Sequence, residues 1–438
     1  MRSETTFQRI ISNTGILAIS RIVNAALSFI YIPLSIQALG LTEYGYLLII
    51  IEFVTLVSDI TQLKSWQTLL HYGTDFWKHK NIAAFQHILG LSIRFDLISS
   101  FAGAGISFLC IHYFNQYMLW PSSYQHLAEL ATFTILFMNT GWSNGILQLD
   151  EKFKAISLFQ AISSCIQTTG CFIGSLFHLK IDYFLIIWMA TQISLFIFTS
   201  AYAAFLVKDK ITFRKFLSLP LQKIEYPSGI VSFTIKTSLS DIIDEVFQKG
   251  SFLFISKFLG PQNAAIYRVT RKVSTGISHL SQLMVPTIYP VFVQLRNKNE
   301  WALINKSLSK FLALFSKISF VCLGIAIFFG NFIMYKMMNI QYSFEKNFLI
   351  LLLISSLIDM YFVPVRAILI VSGKVSLVLL IRSIVITLYF PVSFFAMKYF
   401  QLMGTAYSAV LSSAIIFIYS FAYTKVFLSQ KTNELLNS

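Results

Sequence analysis

Charge is what this sequence has least of: 12% of its 438 residues are Asp, Glu, Lys or Arg, against 56% hydrophobic. Soluble domains carry about 25% charged residues, and with a mean hydropathy of +0.68 an ordinary water-soluble fold is excluded. The four cysteines, Cys110, Cys165, Cys171 and Cys322, stand apart inside apolar runs with no CxxC spacing, so neither a disulfide framework nor a cysteine metal centre is expected. The seven histidines show no ligand pairing either, and no cofactor is expected. Strict alternation of polar and apolar residues is missing as well, which excludes a transmembrane β-barrel.

Continuous apolar runs recur from end to end instead. Those long enough to span a bilayer cover residues 15–39, 45–63, 88–113, 127–147, 156–177, 183–207, 230–258, 264–292, 308–335, 347–371, 375–397 and 404–428. The fold class read from them is an all-α polytopic membrane protein of about twelve transmembrane helices. Arg2 and Arg9 precede the first run as in a signal peptide, but the run is too long and lacks a clear small-residue cleavage site, so it reads as a retained helix.

The connections are charged on alternate sides. Lys64, Lys78 and Lys80, then Lys152 and Lys154, then Lys208, Lys210, Arg214, Lys215 and Lys223, then Arg296, Lys298 and Lys306 fall on one side, while 41–44 and 115–126 carry no Lys or Arg. The positive-inside rule then predicts an even number of spans with both termini cytoplasmic. The net charge of +15 is a topology signal rather than a nucleic-acid footprint, and no nucleic-acid-binding motif accompanies it.

Two cytoplasmic connections are long. Residues 62–86 mix Trp66, Leu69, Leu70, Phe76 and Trp77 with polar residues, which suits a helix at the membrane interface. Residues 208–226 are basic and contain proline, and mark the joint between an N-terminal six-helix bundle, 1–207, and a C-terminal one, 230–438, with 208–229 as linker. A Leu-Gly break before the next helix recurs in both halves, at Leu39-Gly40 and Leu259-Gly260, where two parallel repeats would place it.

Ionised side chains inside a bilayer cost a few kcal/mol each and need a purpose. At about 100° per residue, Asp241, Asp244, Glu245, Gln248 and Lys249 share one face of the seventh span, and Arg268, Arg271, Lys272, Thr275, Ser278, His279 and Gln282 share one face of the eighth. Arg21, Asn24, Ser28, Tyr31 and Ser35 align on the first span, Glu52, Thr55, Asp59 and Gln62 on the second, and Asp359 with Arg366 on the tenth. Packed inward, these faces line a cavity with both signs of charge. The plainer alternative is structural neutralisation, since Glu245 and Lys249 are spaced i, i+4 and can pair within one helix. Arg268, Arg271 and Lys272 have no acid beside them in sequence and need acids from elsewhere or an anionic ligand.

The two-halved plan, the polar first helix ending in Leu39-Gly40 with Glu43-Tyr44-Gly45, the charged seventh helix ending in Leu259-Gly260-Pro261, and the loop 148–154 together resemble the Wzx-type O-antigen and capsule repeat-unit flippases of the MATE-like (MOP) exporter superfamily. That resemblance implies a V-shaped pair of six-helix bundles working by alternating access in the bacterial inner membrane. It implies an undecaprenyl-diphosphate-linked oligosaccharide as substrate, membrane lipids as surroundings, and a polysaccharide polymerase and chain-length regulator as partners. Arg21, Asn24, Arg268, Arg271, Lys272 and His279 are then the substrate cavity, and Asp241, Asp244, Glu245 and Asp359 the ion-coupling or counter-charge groups. No catalytic residue is implied. Two other readings compete: a MATE-like drug or metabolite cation antiporter, which favours a cavity rich in acids and aromatics, and a membrane-embedded polymerase or glycosyltransferase, for which the short outside connections leave no large reaction loop.

Overall fold

The structure is a computed structural model that describes residues 2–79, 81–208, 229–282, 292–293, 295–338 and 343–436. Among the described residues every regular element is helical. In chain order the α-helices are α1 Arg2–Thr61, α2 Ser65–Lys78, α3 Ile82–Phe114, α4 Gln125–Thr132, α5 Ile135–Met138, α6 Gly141–Leu149, α7 Phe153–Leu176, α8 Ile181–Val207, α9 Ile230–Gln282, α10 Trp301–Met338, α11 Ser343–Val371, α12 Val375–Phe400 and α13 Leu402–Leu436. Eight of the described helices are long and apolar enough to cross a membrane.

The remaining crossings come from elements that a hydropathy count merges or misses. A span needs about 20 residues, and α1 has 60. It is two spans joined at Gly40, whose backbone (φ 74°, ψ 165°) leaves the helix for a single residue. The 53-residue α9 does the same at Gly260 (φ 79°, ψ 173°), and Pro261 opens its second half. A proline suits that place, because the first N–H of a helix has no intrahelical partner to lose. The expected loop at 41–44 is therefore not a loop: the second span resumes directly after Gly40. The fourth span is broken rather than continuous, running through α4, α5 and α6 with a non-helical step at Asn139 and Thr140.

The chain packs as two compact units, Ile19–Lys257 and Phe258–Ser438 with Met1–Ala18. The expected 208–229 joint lies mostly at 209–228, outside the described residues. In the first unit α2 is the hub. Leu69 is fully buried against Phe85, Ile88, Leu89, Ile146, Ala203 and Val207, a burial worth roughly 1.5–3 kcal/mol. On its other side the Thr68 and Thr234 hydroxyls bond at 2.7 Å, the Lys64 N–H donates to Ser238 Oγ at 2.9 Å, and His71 stacks on Phe233 with ring centroids 4.5 Å apart. The amphipathic stretch is thus a helix, as its pattern indicates, but one enclosed between α3, α6 and the start of α9.

In the second unit α11 packs against α10 and α13, and α12 against α13. Trp301, Ile304, Leu308, Val365, Ile368 and Leu428 form part of one core, and Phe315, Leu353, Leu357 and Met360 part of another. The outward face of α10 is apolar: Phe320 is 82% and Phe328 83% exposed. Water would oppose so large an apolar surface, and lipid explains it.

Candidate functional site

In the unit Ile19–Lys257, the second half of α1 and the first half of α9 each supply an acid to one base. Lys249 Nζ hydrogen-bonds Asp59 and lies 3.7 Å from Glu245, one helical turn earlier on its own helix. Lys249 and Asp59 side chains are only 19% and 18% exposed, so the pair is screened by little solvent. Glu245 thereby finds a counter-charge on its own helix, as the i, i+4 spacing allows, and Asp59 joins from the second span. Lys64 also acts on Glu245, so the two acids are set among two bases.

Replacing Lys249 by Ala would leave both acids facing each other. The expected loss of stability is about 1–3 kcal/mol, between the value of an exposed pair and that of a buried one. It is read as a lower thermal unfolding midpoint of the purified protein, partly restored by adding Asp59→Asn. An unchanged midpoint in the single variant would show that the cluster contributes nothing.

The first-span stripe is partly self-satisfied: Ser28 Oγ donates to the Ala25 carbonyl at 2.7 Å and Ser35 Oγ to that of Tyr31 at 2.8 Å. Arg21 is exposed. Asn24 Oδ1 is buried with no hydrogen-bond partner among the described residues.

The same unit holds a polar knot where the fourth span breaks. Gln62 Nε2 donates to Asn139 Oδ1 at 2.9 Å, Gly141 N–H donates to the same oxygen at 3.2 Å, and Asn139 Nδ2 donates to the Asp96 carbonyl at 3.2 Å. Helix α6 takes no side-chain cap from Thr140. Its orphan N–H at Trp142 donates instead to Asp96 Oδ2 of α3 at 2.6 Å, a carboxylate at the positive end of a helix. Asp96 was not among the residues singled out from the sequence. The signal available was a lone acid deep inside an apolar run.

In the unit that begins at Phe258, Arg271 of α9 lies within electrostatic reach of Asp359 of α11, Tyr267 and Tyr389. Asp359 is also faced by the Ser413 hydroxyl and by Arg382. Arg366, aligned with Asp359 on the same helix face, is exposed, and the groups that act on the carboxylate come from neighbouring helices. Arg271 Nη1 is buried with no hydrogen-bond partner among the described residues. Arg268 is part-exposed and Lys272 exposed on the same helix. The side chains of Asp241, Asp244 and His279 lie outside the described residues.

A chain of this kind, all-helical, multi-pass and bent at matched glycines, has the MATE-like fold of MOP-superfamily transporters. Its backbone is similar to the inward-facing conformation of a multidrug resistance MATE family transporter of the MOP superfamily, with a TM-score of 0.70 and 11% identity over 98% of this chain and 99% of that one. It is also similar to an outward-facing conformation of such a transporter (TM-score 0.65, 12% identity, 96% of each chain) and to the eukaryotic MATE transporter AtDTX14 (TM-score 0.60, 12% identity, 98% and 99%). In sequence it is 21% identical to inner membrane protein YghQ of Escherichia coli (strain K12) over 307 residues, 70% of this chain and 86% of YghQ. No family model matches the chain. The chain is a multi-pass inner-membrane protein with a transporter fold.

Proposed function

We propose that the chain is a flippase that moves undecaprenyl-diphosphate-linked oligosaccharide repeat units of O-antigen or capsule across the bacterial inner membrane by alternating access, with Arg268, Arg271 and Lys272 holding the diphosphate or acidic sugars. The observation that carries this reading is the buried Arg271 Nη1 without an acceptor among the described residues, beside an acid that Arg382 also faces. A buried donor left unpaired costs about 1–3 kcal/mol. An anion arriving at that nitrogen removes the cost, and a guanidinium matches phosphate geometry better than an ammonium does.

The second reading is a MATE-like drug or metabolite cation antiporter. It is supported by the solved transporters that share the fold, among them multidrug resistance MATE family transporters, and by the two acids, Asp59 and Glu245, gathered around Lys249. An embedded polymerase or glycosyltransferase has less support, because the proteins sharing the fold are transporters.

Depleting the protein in its host separates the first two. The flippase reading expects lipid-linked oligosaccharide to accumulate several-fold in the cytoplasmic leaflet, protected from impermeant reagents, with drug accumulation unchanged. Increased drug accumulation with normal surface polysaccharide would establish the antiporter instead.

A further inference from the structure

The polar knot at the broken fourth span encloses a buried carboxyl and a buried hydroxyl that face each other. Asp96 is 4% exposed and Ser65, the first residue of α2, is fully buried; Ser65 faces the Asp96 carboxyl, and neither Asp96 Oδ1 nor Ser65 Oγ has another partner among the described residues. They sit together on the open side of Gly141. A Cβ added at Gly141 would lie 2.9 Å from each Asp96 oxygen and would collide with Ser65 Oγ. The glycine therefore lets the carboxyl and the hydroxyl approach the first turn of α6 closely.

The groups that face Asp96 from the elements packed around it are Ser65 of α2, Asn139, and the Trp142 N–H at the start of α6; none of them is charged. Asp96 makes no ion pair among the described residues. An ionised carboxylate held in this way has a backbone N–H and a hydroxyl as donors but no counter-charge, an arrangement that burial makes expensive. A proton on Oδ1, donated to Ser65 Oγ, removes the buried charge and keeps the contact.

We propose that Asp96 is a proton-binding site of the unit Ile19–Lys257, with the proton held on Oδ1 and shared with Ser65 Oγ. The ligand is a proton rather than a metal ion because the free oxygens are two, enough to hold and accept a proton. A hard metal ion needs about six oxygens, and Asn139 Oδ1 already accepts two N–H groups. Protonation also acts on the fold. It removes the negative charge from the α6 N-terminus and weakens the acceptor of the Trp142 N–H, so proton occupancy is coupled to how firmly the lower half of the fourth span is capped. This site is separate from the arginines of the other unit, and it stands whichever substrate the transporter carries.

The test needs no substrate. The full chain in lipid nanodiscs is titrated by infrared difference spectroscopy, where a protonated carboxyl gives its own C=O band. One such band is expected in the wild type, lost in Asp96→Asn and unaffected when sodium replaces potassium. Asparagine keeps an oxygen for the Trp142 N–H and cannot take up the proton, so the cap is retained. A spectrum unchanged in Asp96→Asn overturns the proposal, and loss of the Asp96-dependent band on adding sodium would make this a metal site instead. If Asp96→Asn fails to fold, Ser65→Ala decides: the cap is untouched, and the band is expected to shift in frequency because its acceptor is gone. No shift there overturns the proposal equally.

Discussion

Alanine at Gly260 is expected to destabilise the protein by about 1–3 kcal/mol, and serine, leucine or lysine at the same position by nearly the same amount. The reason lies in the backbone alone. With φ 79° and ψ 173°, Gly260 occupies a region that is essentially closed to residues with a Cβ, yet a Cβ placed there would meet nothing within 4 Å. Side-chain size therefore adds little to the cost. Pro261 prevents an easy escape, because the residue before a proline is kept out of the α region, so a substituted residue cannot simply close the helix over the break. Gly40 has the same geometry (φ 74°, ψ 165°) and the same empty surroundings but is followed by Leu41. Alanine there has a way out: it can join the two halves of α1 into one straight helix. The expected result at Gly40 is thus a smaller drop in the unfolding midpoint but a comparable loss of transport, since the two spans could no longer fold back. The measurement is a substitution series at each position, followed by thermal unfolding and by surface polysaccharide. A cost that rises with side-chain volume would mean that packing, not backbone, fixes these glycines.

Arg271→Ala is expected to lower transport by about 10- to 100-fold, since a hydrogen bond to a charged group contributes about 1.5–3 kcal/mol and each 1.4 kcal/mol is a factor of ten. The protein should still reach the membrane, because Asp359 retains Ser413 and Arg382 when Arg271 is removed. Lysine at 271 keeps the charge but not the planar fork and is expected to be intermediate. The double variant Arg271→Ala with Asp359→Asn separates two roles. If Arg271 serves mainly to balance Asp359, removing both restores activity; if it holds an anion, the double variant is no better than the single one. Full transport by Arg271→Ala would remove this arginine from the mechanism.

Helical phase made much of this legible. The spacing of Glu245 and Lys249 allowed their pairing, and the alignment of Asp59 on the second span put an acid where α9 uses it. The Leu-Gly repeat was short, yet the two glycines share one unusual backbone conformation, which is a stronger sign of common design than the letters around them. The rest was hidden for physical reasons. Which acid meets Arg271 depends on packing among α9, α11, α12 and α13, and periodicity within α11 places Asp359 on a face without naming the helix it meets. The enclosure of α2 depended on Thr234 and Ser238 arriving from far along the chain. Asp96 was passed over because it aligns with no other charge. Its partners are backbone groups and hydroxyls created by a break in another span, for which Asn139, Thr140 and Gly141 were the local signature.

The matched bends at Gly40 and Gly260 bear on how such a chain could have arisen. Each interrupts a long helix in the same way, by a single residue of positive φ between two apolar spans. A segment with an even number of crossings starts and finishes on the same face of the bilayer, so a tandem gene duplication yields a second copy that inserts in the orientation of the first, with no inversion to be accommodated. Two such copies would diverge freely at most positions but not at these glycines, because residues with a Cβ are disfavoured in this backbone region.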